Sequence, residues 1–126
     1  MLLPNIDLAA QRVIATISDG GAAADRLMLS VETDDYCDFI TRATAGDNGD
    51  VSSTSTDIAN GVIHEVTGIW KTRHVRGKVD SDAIVQDLVA TIPDDLDRIE
   101  PGQDHAAANQ TCGVISNLKL WDHDSE

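Results

Sequence analysis

Aromatic side chains are nearly missing from this chain: two Trp, one Tyr and one Phe among 126 residues, 3% in all. Proteins that hold single-stranded nucleic acid stack its bases on aromatic rings, and so thin a supply argues against that work. Cysteine is as scarce. Cys37 and Cys112 stand far apart, and neither has metal-ligand spacing around it. They read as two small buried or half-buried thiols, with a disulfide left open. Lysine is scarcer than in most soluble chains. Only 3 Lys and 6 Arg face 18 Asp and 4 Glu, for a formal net charge of -13. The opening "MLLPNIDLAA" has neither a basic lead nor a sufficient apolar run, so it predicts no signal peptide and no membrane span.

The motifs of common enzyme chemistries are missing too. There is no Gly-x-Ser-x-Gly elbow, no Walker loop and no Gly-x-Gly-x-x-Gly. Cys37 sits in "DDYCDF", where neighbouring carboxylates raise a thiol pKa and make a poor nucleophile. His64, His74, His105 and His123 form no i, i+4 pair and no His-Glu-x-x-His. "GDNGD" resembles half a calcium loop, but the Glu that should close it is absent, and a turn is the better reading. The expectation is a protein that is not an enzyme, with no catalytic residues, no cofactor and no metal.

What the chain does have is short acidic side chains in abundance, with 41% apolar residues. Asp in preference to Glu, little Lys, and plentiful Ala, Val and Thr fit adaptation to molar salt. There the Debye length falls to about 3 Å and the self-repulsion is screened. The apolar fraction and the periodic segments argue against an acidic disordered chain.

Hydrophobic periodicity predicts a helix over 5–18, with Ile6, Ala10, Val13 and Ile17 on one face and Gly20 and Gly21 ending it. A strand is expected at 26–32. Residues 33–46 read either as a short helix capped by Thr33 or as a strand running into a loop. The run 46–60 is polar and reads as a flexible surface loop. "GVIHEVTGIWKTRHV" alternates as one long strand of about 12 residues, with Gly68 marking a bulge or bend. "RGKVD" then turns the chain into a helix over 80–92, with Asp80 as its N-cap and Pro93 at its end. "LDRIEPG" suggests a short strand and 113–122 a last one before an acidic tail. The expected fold is a single α+β domain over 1–126, a mixed or antiparallel sheet with helices packed on one face.

One segment is out of character. Residues 71–78 hold Lys71, Arg73, Arg76 and Lys78, four of the nine basic residues. Phosphate binding by such a ribbon would fade in molar salt, and no specific nucleic-acid role is expected. Surface ion pairs within the chain are one reading. The other is contact with a neighbouring subunit, in which Arg and Lys on a projecting edge grip a neighbour's carboxylates. Because each copy carries both a basic edge and acidic surface, such contacts are head-to-tail and close into a ring. Lys71, Arg73, Arg76 and Lys78 are therefore the candidate subunit-interface residues.

An N-terminal helix "IDLAAQRVIATI", followed by a long β segment, basic turn and helix in "IWKTRHVRGKVDSDAIVQDLVATI", resembles the tail terminator proteins of tailed viruses. The likeness covers roughly residues 5–95 as an order of elements. It implies a structural virion protein, made in the host cytoplasm, that forms a ring, in that family a hexamer, capping the tail tube and joining it to the head. The implied partners are copies of itself and neighbouring tail tube and head–tail connector proteins, with no membrane. The composition makes the implied host a haloarchaeon. A head–tail connector or adaptor is the near alternative, and a stand-alone small-ligand-binding cytoplasmic haloarchaeal domain the alternative from another class.

Overall fold

In the computed structural model, residues 1–3, 10–20, 25–44, 48–103, 110–111 and 113–119 are described. They form eight strands and, among themselves, no helix. The strands are β1 (Arg12–Ser18), β2 (Arg26–Val31), β3 (Cys37–Arg42), β4 (Gly49–Ser52), β5 (Val66–Lys71), β6 (His74–Val79), β7 (Val85–Asp87) and β8 (Arg98–Pro101). Five make one antiparallel sheet in the order β4-β3-β2-β1-β8, and three make a second in the order β5-β6-β7. β6 packs across β3 and β4, and β7 across β4. The arrangement is an all-β sandwich whose layers differ in width by two strands.

The α+β expectation is thereby corrected. Of the helix expected over 5–18, residues 12–18 are strand β1, and residues 4–9 lie outside the described part. Val13, Ile14, Thr16 and Ile17 are β-branched, stiff at χ1 and better suited to a pleated surface than to a helix. Ile14 supplied no helical signal, and in the sheet it has a distinct place. The β1–β2 register shifts between Val13 and Ala15, and Ile14, in that bulge, joins the core.

The helix expected over 80–92 is replaced by turns around the three-residue β7. Asp80 is no helix cap. It has a φ of 47°, and its carboxylate accepts from Glu65 N–H at 2.8 Å and meets His64 Nδ1 at 2.7 Å. Asp82 N–H donates to Val79 O, and Val89 N–H to Asp87 Oδ1, so local turns take the donors a helix would need. Of Ile84, Val85, Leu88, Val89 and Ile92, which such a helix would line up as one buried stripe, Ile84, Leu88 and Val89 are at least half exposed and only Val85 and Ile92 are half-buried against the core.

The long strand expected over 62–73 is a hairpin. β5 ends at Lys71, the chain reverses at Thr72 and Arg73, and Lys71 pairs with His74. Arg73 takes a φ of 60°. "RGKV" belongs to β6 and does not form the turn. Gly68 makes no bulge: it lies in register opposite Gly77. A Cβ on Gly77 would fall 1.9 Å from the Phe39 ring, and one on Gly68 would fall 2.4 Å from the Trp70 ring. The glycine pair is a gap in sheet two into which two of the chain's four aromatic rings fit.

The main core lies between the sheets: Ile14, Val31, Cys37 and Phe39 from one, Val75 and Val79 from the other, closed by Leu3, Ile58, Ala59 and Ala90. A smaller cluster of Val13, Met28 and Ile40 sits apart from it. The polar run 46–60 contributes β4 and buries Ser53, Ile58 and Ala59. Ser53 Oγ accepts from Cys37 N–H, and Ile58 N–H donates to Asp35 O. The strand expected at 26–32 is present as β2, and the short strand expected in "LDRIEPG" is present as β8. Around 114 the described residues form only a bridge, Val114 with Leu2.

Candidate interaction surface

The four basic residues singled out in the sequence lie on one hairpin. Pairing across β5 and β6 puts Thr67 beside Lys78, Ile69 beside Arg76 and Lys71 beside His74. Val75, Gly77 and Val79 point into the core, so the residues alternating with them point out. Lys71, Arg76 and Lys78 therefore share the outer face of sheet two with His74, and Arg73 stands exposed at the tip. Arg76 and Lys78 also line a hollow of about 140 Å³ with Glu65, Thr67, Ile69, Asp80 and Ile84. The structure thus brings all four basic residues onto one ribbon, by a hairpin rather than by a straight projecting strand.

At the base of the hairpin His64 is buried at 6% exposure. Its Nδ1 meets Asp80 Oδ2 at 2.7 Å and its Nε2 meets Asn60 Oδ1 at 3.0 Å. Its backbone N–H donates to Met1 O and Gly61 N–H donates to Leu3 O, so residues 1–3 are stitched to 61–64. The hydrogen bond with His64 holds the Asp80 carboxyl below its ordinary value. A buried imidazole with both nitrogens engaged is a structural clasp, with no ring nitrogen left over for chemistry.

Asp38 is 5% exposed. Burial pushes its carboxyl up to about 6, and the nearby charges of Asp50 and Glu32 add to this against a hydrogen bond with Ser52. Burial likewise raises the Cys37 thiol well above its ordinary range, and Cys37 is a free, inert cysteine. Asn48 and Asp50 from "GDNGD" are engaged by Ala43 N–H and by Arg42, at 3.0 Å each. Among the described residues no group of three or more His, Cys, Asp or Glu is placed to hold a metal ion. Cys112, His105 and His123 lie outside the described residues.

The site that sequence reasoning missed is a cleft of about 810 Å³ along β5. Its floor is Ile14, Ile17, Leu27 and Leu29 from β1 and β2, its one wall is β5, and residues 115–119 line it as well. Trp70 reaches from β5 to sheet one, where its Nε1 donates to Ile40 O at 3.2 Å. The alternation of Val66, Gly68 and Trp70 was legible, but not that sheet two would stop at β5 and leave β1 and β2 partly uncovered.

Exposed apolar side chains gather at strand edges. Ile84, Leu88 and Val89 flank β7, Ile99 is on β8, and Ile63 and Leu118 line the cleft. Among the described residues no helix is long and apolar enough to cross a membrane. Comparison of the chain with protein-family models, with curated proteins and with solved structures finds no match.

Proposed function

We propose that this chain is a structural subunit of a virion from a high-salt tailed virus, working in the head–tail joint, with a tail-terminator ring as its specific form. The helix–strand–helix order that suggested that form is replaced by strands, so the reading stands on other ground. The observation that carries it is the basic outer face of sheet two, Lys71, Arg76 and Lys78 with Arg73 at the tip, on a chain of net charge -13. A face of one sign on a molecule of the other sign invites a head-to-tail contact with the next copy, and such contacts close into rings or run on as filaments. Exposed Ile84, Leu88, Val89 and Ile99 supply apolar area beside strand edges, the usual places for added chains to join. No catalytic step is proposed.

Light scattering coupled to size exclusion in molar KCl tests this. The expected mass is that of one closed ring of a single size, as cyclic closure of one repeated contact requires, with a hexamer the size that the tail-terminator resemblance implies. Arg73→Glu together with Arg76→Glu should give a folded monomer. Rings from the double variant would take the hairpin out of the contact, and a wild-type monomer that shifts its melting temperature with a small molecule would favour the stand-alone ligand-binding domain.

A further inference from the structure

Four strands end the two sheets, and three of them are guarded. β4 has four residues and β7 three, too short to template much. β8 carries Pro101. Gly102 N–H donates to Ile14 O, which makes that pair a hydrogen-bonded one and turns Ile99 and Pro101 to the outer edge. Pro101 has no N–H to offer there.

β5 is different. It is six residues long and in register throughout, with no Pro. Asp80 N–H donates to Glu65 O at 2.8 Å, which makes Glu65 and Asp80 a hydrogen-bonded pair. Alternation along an antiparallel ladder then assigns Thr67, Ile69 and Lys71 to β6, and turns the N–H and C=O of Val66, Gly68 and Trp70 to the other edge. No described strand pairs with that edge. It faces the cleft, where Ile14, Ile17, Leu27 and Leu29 form an apolar floor at the place a fourth strand of sheet two would cover.

Residues 115–119 line the cleft together with β5, β1 and β2, and a groove bounded by several elements suits a single extended segment better than the edge of another sheet. Among the described residues, the charged side chains on the lining include Lys71, Lys119 and Glu65. We infer that the cleft is a strand-acceptor groove, completed by one extended arm of a partner polypeptide that pairs with the free edge of β5, seats alternate apolar side chains on β1 and β2, and turns carboxylates toward Lys71 and Lys119. The assembly reading supplies only the source of the arm, a neighbouring protein of the joint; Lys71 belongs to both the basic hairpin and the groove, so the groove is judged by peptide binding and amide protection and not by ring formation.

The test uses the full chain and a synthetic probe, a capped octapeptide of alternating valine and aspartate, with its lysine counterpart and a version N-methylated at alternate residues. Calorimetry measures binding, and amide hydrogen exchange reads Val66, Gly68 and Trp70. The expected result is saturable binding that slows exchange at these three amides by about tenfold or more, with the N-methylated peptide about tenfold weaker. In dilute buffer the aspartate peptide should outbind the lysine peptide despite the chain's charge of -13. Lys71→Glu with Lys119→Glu should reverse that order, and molar KCl should erase it while binding persists. Equal binding of the N-methylated peptide, unprotected amides, or preference for the lysine peptide would overturn the inference. Self-association that protects the same amides without peptide would overturn it too, by giving the groove to a second copy. A ring that forms normally while the peptides fail would leave the assembly reading standing and remove the groove alone.

Discussion

A single atom decides the hairpin's fit. Phe39 is fully buried, and its ring lies where a Cβ of residue 77 would be. Gly77→Ala must displace either the ring or β6, since close-packed cores have no slack. The expected loss is about 2–3 kcal/mol, the upper part of the overpacking range, seen as a lower denaturant midpoint at unchanged slope. Gly68→Ala meets the outer end of the Trp70 ring, which has more room to move, and should cost less. Asp38 offers a residue whose effect reverses with pH. Its carboxyl titrates near 6 in the folded chain against an ordinary 3.8. A raised carboxylate favours the fold when protonated, so this contribution is complete below about pH 4 and is lost as pH rises through 6. Asp38→Asn should therefore stabilise by on the order of 1–3 kcal/mol at pH 7.5, with the advantage shrinking toward pH 4. A variant equally stable relative to wild type at both pH values would remove the buried charge as the cause.

Elements show how far local pattern reaches. The strand at 26–32 was legible because Leu27, Leu29 and Val31 alternate, and "LDRIEPG" because it is short and framed by turns. The segments at 12–18 and 80–92 misled because their apolar residues satisfy a helical spacing as well as a pleated one. Val85 is β-branched and lies in β7, but a strand of three residues is too short to leave a period-two pattern of its own. The hairpin was hidden for a different reason. Thr72-Arg73 is not a turn signal, since the left-handed position in a two-residue connection usually falls to Gly or Asn. Arg73 sits there at φ 60°, at a cost of about 1 kcal/mol. Arg73→Gly should consequently leave stability unchanged or raise it by up to about 1 kcal/mol while removing one charge from the tip, so lost assembly in that variant reports charge and not misfolding. The clasp under the hairpin behaves oppositely. Asp80→Ala strands His64 Nδ1 and Glu65 N–H together. One buried and one exposed partner lost should cost about 1–3 kcal/mol, read by thermal unfolding at pH 7. Asp80 is lowered by its bond to His64, so its share of stability holds above the ordinary carboxylate range and disappears as pH falls below it.

At the scale of the whole molecule, charge is the dominant variable. The described surface sets few cations against its carboxylates: Arg42 with Asp50 at 3.0 Å is a surface pair, worth little in isolation. A net charge of -13 on 126 residues is self-repelling in dilute buffer, and the repulsion acts over about 10 Å at 0.1 M salt but only about 3 Å at 1 M. The melting temperature should accordingly climb with KCl and flatten once screening is complete. Simple salting-out of apolar surface would also raise it, so a charge variant is needed to separate the two. Asp94, Asp95 and Asp97 are exposed neighbours in the turn before β8. Asp94→Asn, Asp95→Asn and Asp97→Asn together keep size and turn chemistry, Asn tolerating the φ of 58° at position 95. If repulsion governs, this triple variant is more stable than wild type in dilute buffer by about 1 kcal/mol or more and indistinguishable from it in molar KCl. If the two proteins keep the same gap at every salt concentration, the acidic surface acts by some route other than screened repulsion, and the salt-adapted reading of the composition fails with it.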